Sequence, residues 1–382
     1  MITLRDKFRG CIAGSWVGSA MGAAVEGWSR ERIQETHGYL DRLLPYRHYQ
    51  VEWDRPPGTT EDGIERQKLI ATAIIEKQDR ILAHDLVAVW VRDLDPEKMA
   101  FKQERFDRSL LEMARAGVPA SELGRLWLFT NQVSMARASH PLGLINAGDP
   151  QGAADDSFEV GRVYARESAF ALRWAALYNA CVAEACKPAA TVESVLETAR
   201  RFARYRAEAG SLYSGYDTVE RALNHALGLA SKHKDALAMR DEFYDLYEGG
   251  RHFVYSMSDA GEVVSKGLAV FALTRGDPRE AIPAAVNFGR DTDCLAAVAG
   301  GLAGALSGSR GLPKEWIAQV NEATRRDPYT SNQRTIEETA DGLFQAFLAR
   351  RQRLEEYARL MGDASFLGPR PARRRRPGDK EG

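Results

Sequence analysis

The stretch FGRDTDCLAAVAGGLAGALSG, residues 288–308, sets Asp291 and Asp293 one residue apart, directly before a run made almost wholly of alanine and glycine. Acidic side chains at a helix start have an ordinary use, because they accept hydrogen bonds from free backbone N–H groups and oppose the positive end of the helix dipole. Glycine inside a helix has a cost of about 1 kcal/mol relative to alanine. Ala297, Gly300, Gly301, Gly304 and Ala305 therefore predict a helix that neighbouring helices approach closely, at the centre of a bundle.

A second acidic helix start lies far away in the chain. PPGTTEDGIERQ, residues 56–67, presents Thr60, Glu61 and Asp62 immediately before a segment with apolar residues at Ile70, Ala73 and Ile74. Asp62 and Glu65 have the spacing of a capping pair at that start. Helical periodicity recurs in residues 167–186, 216–231, 260–275 and 338–360, separated by glycine, proline or polar clusters. Strand-like alternation is scarce, and no internal repeat stands out. The pattern predicts an all-α fold, a compact orthogonal helical bundle, over residues 1–365 as a single domain. Residues 45–62, 127–151 and 286–293 break the helical pattern and gather Pro, Gly, Asn, Asp and His, which marks them as the loops to carry chemistry.

Composition removes several classes of function. The chain has 382 residues, 44% of them hydrophobic, with 52 Lys plus Arg against 53 Asp plus Glu. That balance gives no reason to expect nucleic acid or an acidic membrane as partner. The proline-rich, basic end, residues 366–382, lacks the apolar content that ordering requires and is expected to be a disordered tail. Cys11, Cys181, Cys186 and Cys294 show no CxxC spacing, so reduced thiols and a cytoplasmic protein are expected. Arg5, Lys7 and Arg9 before residues 10–25 imitate a secretory signal, but glycine and serine dilute the apolar run. No segment reaches the ~20 strongly apolar residues of a membrane span.

Oxygen ligands clustered at two helix mouths suit a hard divalent cation, Mg2+ or Mn2+, provided that the two clusters converge. Four carboxylates brought together would repel one another, and an ion would offset that repulsion.

Four segments, in order, carry a resemblance: RGCIAGSWVGSAMGAAVEGW at 9–28, GTTEDG at 58–63, SMARASHPLGLINAGDP at 134–150, and GDPREAIPAAVNFGRDTDCLAAVAGGLAGALSG at 276–308. Together they resemble the ADP-ribosylglycohydrolase family, whose pattern runs Gly-Asp-Ala-Leu-Gly-Ala-Pro-x-Glu-Gly, Thr-Asp-Asp-Thr, Met-Arg-x-x-Pro-x-Gly and Gly-Asp-Thr-Asp-Thr. The resemblance implies an all-α hydrolase holding one or two Mg2+ or Mn2+ ions between the acidic motifs. It would cleave an N- or O-glycosidic bond at ribose C1 of an ADP-ribosylated protein, or of a smaller ribosyl or nucleotide substrate. Carried over by position, Thr60, Glu61 and Asp62 match the first metal motif, and Asp291, Asp293 and Cys294 the second. Glu26 matches a glutamate beside the substrate ribose, and Glu26 or Asp62 is expected as the general base. Ser134 and Met135 match a substrate-lining stretch, with core packing as the other reading of Met135.

The departures are as informative as the matches. Glu61 replaces an aspartate, Gly63 a hydroxyl residue, and Cys294 a Thr or Ser hydroxyl, although a thiol is a soft donor poorly matched to Mg2+. Ser19 replaces the aspartate of the opening motif, and Ala136 interrupts the Met-Arg pair, so that Arg137 follows Met135 by two. They point to a divergent member, with a third possibility in a non-catalytic binding or structural protein.

Overall fold

The computed structural model describes residues 2–48, 51–127, 131–207, 218–248 and 258–363. Among them are 19 α-helices and two short 3-10 turns, with isolated bridges Tyr46–Arg55 and Gln132–Asp259 in place of any sheet. The fold is all-α, as the periodicity predicts. The basic tail, residues 366–382, lies outside the described residues.

Local sequence sets several of the helix boundaries. The Leu4–Gly22 helix opens on Thr3, whose side chain accepts from the Asp6 N–H, and the Ile336–Gly362 helix opens on a reciprocal capping box of Thr335 with Glu338. The Asp62–Lys77 helix ends at Gln78, which turns into the left-handed region at φ 57°. Its start departs from the expected capping pair. Glu61 is the N-cap and makes no side-chain cap bond, while Glu65 turns away to accept from Lys68, Thr330 and Ser331.

The small residues at 292–304 have a partner row that the sequence reading leaves unassigned. Gly10, Gly14, Gly18 and Gly22 of the first helix face Gly304, Gly300, Ala296 and Thr292 of the Thr292–Ser307 helix, in descending order, so the two helices run antiparallel. A Cβ at Gly14 would overlap the Gly300 carbonyl, and one at Gly10 would overlap that of Gly304. Both rows step by four residues, so each helix lays its backbone into the groove of the other. Cβ atoms would force the pair apart, which is why the glycine penalty is tolerated here.

The Thr292–Ser307 helix is buried along nearly its whole length and also packs on the Pro278–Val286 and Ala260–Leu273 helices. One hydrophobic cluster, from Phe8 to Ala346, surrounds this centre. The antiparallel arrangement brings the end of the first helix, followed by Glu26, against the start of the helix at Thr292. Among the described residues, no helix is long and apolar enough to cross a membrane.

Candidate active site

The loops that flank the helix pair are tied together by backbone. Gly27 N–H donates to the Arg290 carbonyl at 2.8 Å, and Arg290 N–H returns to the Trp28 carbonyl at 2.8 Å. Arg290 adopts φ 64°, a left-handed conformation unusual for a residue with a side chain, and its guanidinium is anchored on Glu262 at 2.7 and 2.9 Å. Thr292 Oγ1 donates to the Gly22 carbonyl at 2.8 Å. Glu26 and Asp291 are thereby fixed on either side of one seam.

The second acidic motif does not cap its helix. Asp291 occupies the N-cap position without a side-chain cap bond. Both of its carboxylate oxygens, and Oδ1 of Asp293, are buried without a hydrogen-bond partner. Asp291 and Asp293 are 3% and 1% exposed. Ligand atoms of Asp291, Asp293 and Cys294 all lie within 4.8 Å of one another. Burial, and then Asp291, push the Asp293 carboxyl well above the usual range, with Arg137 only partly opposing. A buried carboxylate without partners is costly unless a cation or a proton joins it.

At the first motif the charges are already met. Glu61 Oε1 accepts from Tyr46 OH at 2.6 Å and from Arg55 Nη1, and Ser19 Oγ accepts from the Glu61 N–H at 3.3 Å. Asp62 Oδ2 lies 2.5 Å from Arg137 Nη2 and 3.1 Å from Arg66 Nη2. Burial works against the Asp62 charge, but Arg137, Arg66 and His48 outweigh it and hold the carboxyl below its ordinary value. Thr60 is buried, and its carbonyl accepts from Lys102.

The two motifs do converge, and one side chain joins them. Arg137 reaches Asp62, donates from Nη1 to Cys294 Sγ at 2.8 Å, and lies 3.6 Å from Asp293 Oδ2. Burial pushes the Cys294 thiol well above its usual range, and Arg137 opposes this only in part. It therefore serves as a neutral acceptor for Arg137. Glu26, half-buried, joins from the other side through His48, with Nδ1 at 3.3 Å from Glu26 Oε2 and Nε2 at 3.5 Å from Glu61 Oε2. Burial, then Asp293, Asp291, Glu61 and Asp62, push the Glu26 carboxyl well above its usual range.

Ser134 is buried at the start of the Ser134–Ala138 helix. Met135 is 1% exposed within the hydrophobic cluster, beside Gly161, so it packs the core, and Arg137 is the residue of that segment which faces the carboxylates. Sequence reasoning missed His48, Tyr46 and Arg55 as individuals, although all three fall in the 45–62 loop it singles out. The dense polar composition of that loop was the available signal.

Asp291 and Asp293 offer unpartnered, buried oxygen donors, which fit Mg2+ or Mn2+. Glu26, His48 and Glu61 also offer ligand atoms within 4.8 Å of one another, but Glu61 and Asp62 have their charges engaged by arginine, so the stronger fit is at the second motif with Glu26 beside it.

Comparison with known proteins places this chain in the ADP-ribosylglycohydrolase family, whose model matches residues 1–353. Two relatives align over most of the chain. An uncharacterized protein of Escherichia coli strain K12, YegU, is 24% identical over 332 residues, which cover 84% of this chain and 94% of that protein. An uncharacterized protein of Archaeoglobus fulgidus is 25% identical over 327 residues, covering 84% and 93%. Among solved structures, an ADP-ribosylglycohydrolase-related protein complex superposes with a TM-score of 0.62 at 20% identity, over 91% of this chain and 100% of that one. Family and fold thus agree on an ADP-ribosylglycohydrolase-like protein.

Proposed function

We propose that this protein is a divalent-metal-dependent hydrolase that cleaves the glycosidic bond at ribose C1 of an ADP-ribosyl conjugate. The observation that carries the reading is the buried Asp291 carboxylate, with neither oxygen hydrogen-bonded, beside Asp293 in a member of this family. Asp291 and Asp293 would hold Mg2+ or Mn2+, which when bound supplies a Lewis acid for water and for the ribose hydroxyls. The protein's own residues do the rest. Loss of the leaving group builds positive charge on the ribose ring, and the surrounding carboxylates favour that charge.

Glu26 is the better general base of the two candidates, because Asp62 is occupied by Arg137 and Arg66 while Glu26, among the described residues, pairs with His48 and with no arginine. His48 orients Glu26, which in its ionised form takes the proton of the attacking water on a carboxylate oxygen, and the raised proton affinity of that carboxyl favours the transfer. Ser134, at the start of the helix that carries Arg137, is left as the side chain to contact substrate. The active unit is the domain expected over residues 1–365, and four free cysteines suit work in the cytoplasm.

A second reading, a member that binds without turnover, draws support from the arginines engaged on Glu61 and Asp62. Release assays separate the two. Purified protein is incubated with ADP-ribosylated protein, and with a panel of ribosyl nucleosides and nucleotides, in Mg2+, Mn2+ or EDTA. Metal-dependent release is expected, slowed at least about 100-fold in Asp291→Asn. Unimpaired turnover in that variant, or no release from any substrate by metal-loaded wild type, overturns the assignment.

A further inference from the structure

We infer that Arg137 is a built-in counter-ion which takes the place of a divalent cation between the two acidic helix starts, and that Gly63 is the space it needs. The inference rests on the metal reading above for the second motif, and concerns how many ions the two motifs together accept.

Three observations meet at this side chain. The guanidinium bridges the motifs, with Asp62 Oδ2 at 2.5 Å, Cys294 Sγ at 2.8 Å and Asp293 Oδ2 at 3.6 Å. Arg137 is 7% exposed, so these partners stand in for the water that a free guanidinium would have. A Cβ at Gly63 would lie 2.7 Å from Arg137 Cδ and 2.9 Å from Nε, inside contact distance. A side chain at 63 and the guanidinium in this position exclude each other.

Three departures noted in the sequence therefore become one. Arg137 brings a fixed positive charge between the carboxylates. Gly63 clears its path. Cys294 replaces a hard oxygen donor with a thiol that accepts a hydrogen bond from Nη1 and asks for no ion. A guanidinium and an ion cannot share the space between Asp62 and Asp293. The free oxygens of Asp291 remain, so capacity falls to one ion.

The test counts ions directly. Calorimetric titration with Mn2+ and the electron paramagnetic resonance signal of bound Mn2+ are compared for full-length wild type, Arg137→Met and Gly63→Thr. One bound ion is expected for wild type and two for Arg137→Met. Gly63→Thr keeps the arginine but displaces its head, and is expected to move in the same direction. Thermal unfolding gives a second readout. Arg137→Met is expected to melt lower than wild type in EDTA and to recover most of the difference in Mn2+, so a variant that folds only with Mn2+ also supports the inference. Two ions in wild type overturn it, as does an unchanged count in both variants. One ion in wild type and in both variants would overturn the counter-ion role while leaving the metal-dependent hydrolase intact. A wild type that binds none, with one ion gained by Arg137→Met, would uphold the counter-ion and defeat the metal-dependent activity.

Discussion

The helices that begin at Asp62 and Thr292 both start with a buried acidic pair, and on paper the two starts look alike. Their surroundings are opposite. Glu61 and Asp62 are held by Arg55, Arg137 and Arg66, whereas Asp291 keeps both oxygens free of hydrogen bonds. One acidic start is thus a closed electrostatic unit, and the other is an open one. A carboxylate's neighbours, more than its place in a motif, determine whether it can take an ion.

That contrast is sharpest in stability measured without metal. In EDTA, Asp62→Asn is expected to lose about 3–5 kcal/mol, because it takes the nearest carboxylate from the buried Arg137 guanidinium, while Arg66 keeps Asp107. Asp291→Asn is expected to gain about 1–3 kcal/mol by removing an unpartnered buried charge. Urea unfolding of both variants provides the check, and shifts of the same sign would erase the distinction.

Acid unfolding sharpens the comparison further once a contribution from neither motif is removed. His140 is fully buried, and burial pushes it down to about 4, against weaker opposition from the Ala297 and Arg137 carbonyls. Its folded value lies below its unfolded value of about 6.5, so the neutral ring stabilises the fold above pH 6.5. That stability is lost as pH falls from there toward 4, by about 3 kcal/mol at most. His140→Gln is expected to flatten this acid limb, as followed by unfolding at stepped pH. Stability that falls equally steeply in the variant would assign the loss to the carboxylates.

The smallest effect is expected from Cys294→Thr. Since Sγ accepts from Arg137, a hydroxyl in its place exchanges one acceptor for another, and Mn2+ affinity should stay within about fivefold by titration. A larger gain would mean that position 294 faces the ion after all.

Much of this was readable in the chain. Periodicity gives the helices, and the four motifs in order give the family. The acidic starts at 60–62 and 291–293 are visible by spacing alone. What was hidden is pairing. Nothing local marks Arg137 as the partner of Asp62, 75 positions away, because a charged side chain chooses its partner only in three dimensions. His48 was hidden for the same reason, since its link between Glu26 and Glu61 exists only when the 45–62 loop folds back. The glycine row at 10, 14, 18 and 22 has a four-residue rhythm, but only its counterpart at 292–304 gives that rhythm meaning.

Those facing rows make the distance between Glu26 and Asp291 a property of main chain. Rotamers can be exchanged around the cleft without the two walls sliding, because carbonyl oxygens, not methyl groups, are what meet across the joint. Such a frame behaves like a machinist's jig. Its tolerance is set once, and different workpieces can then be clamped in the same jaws.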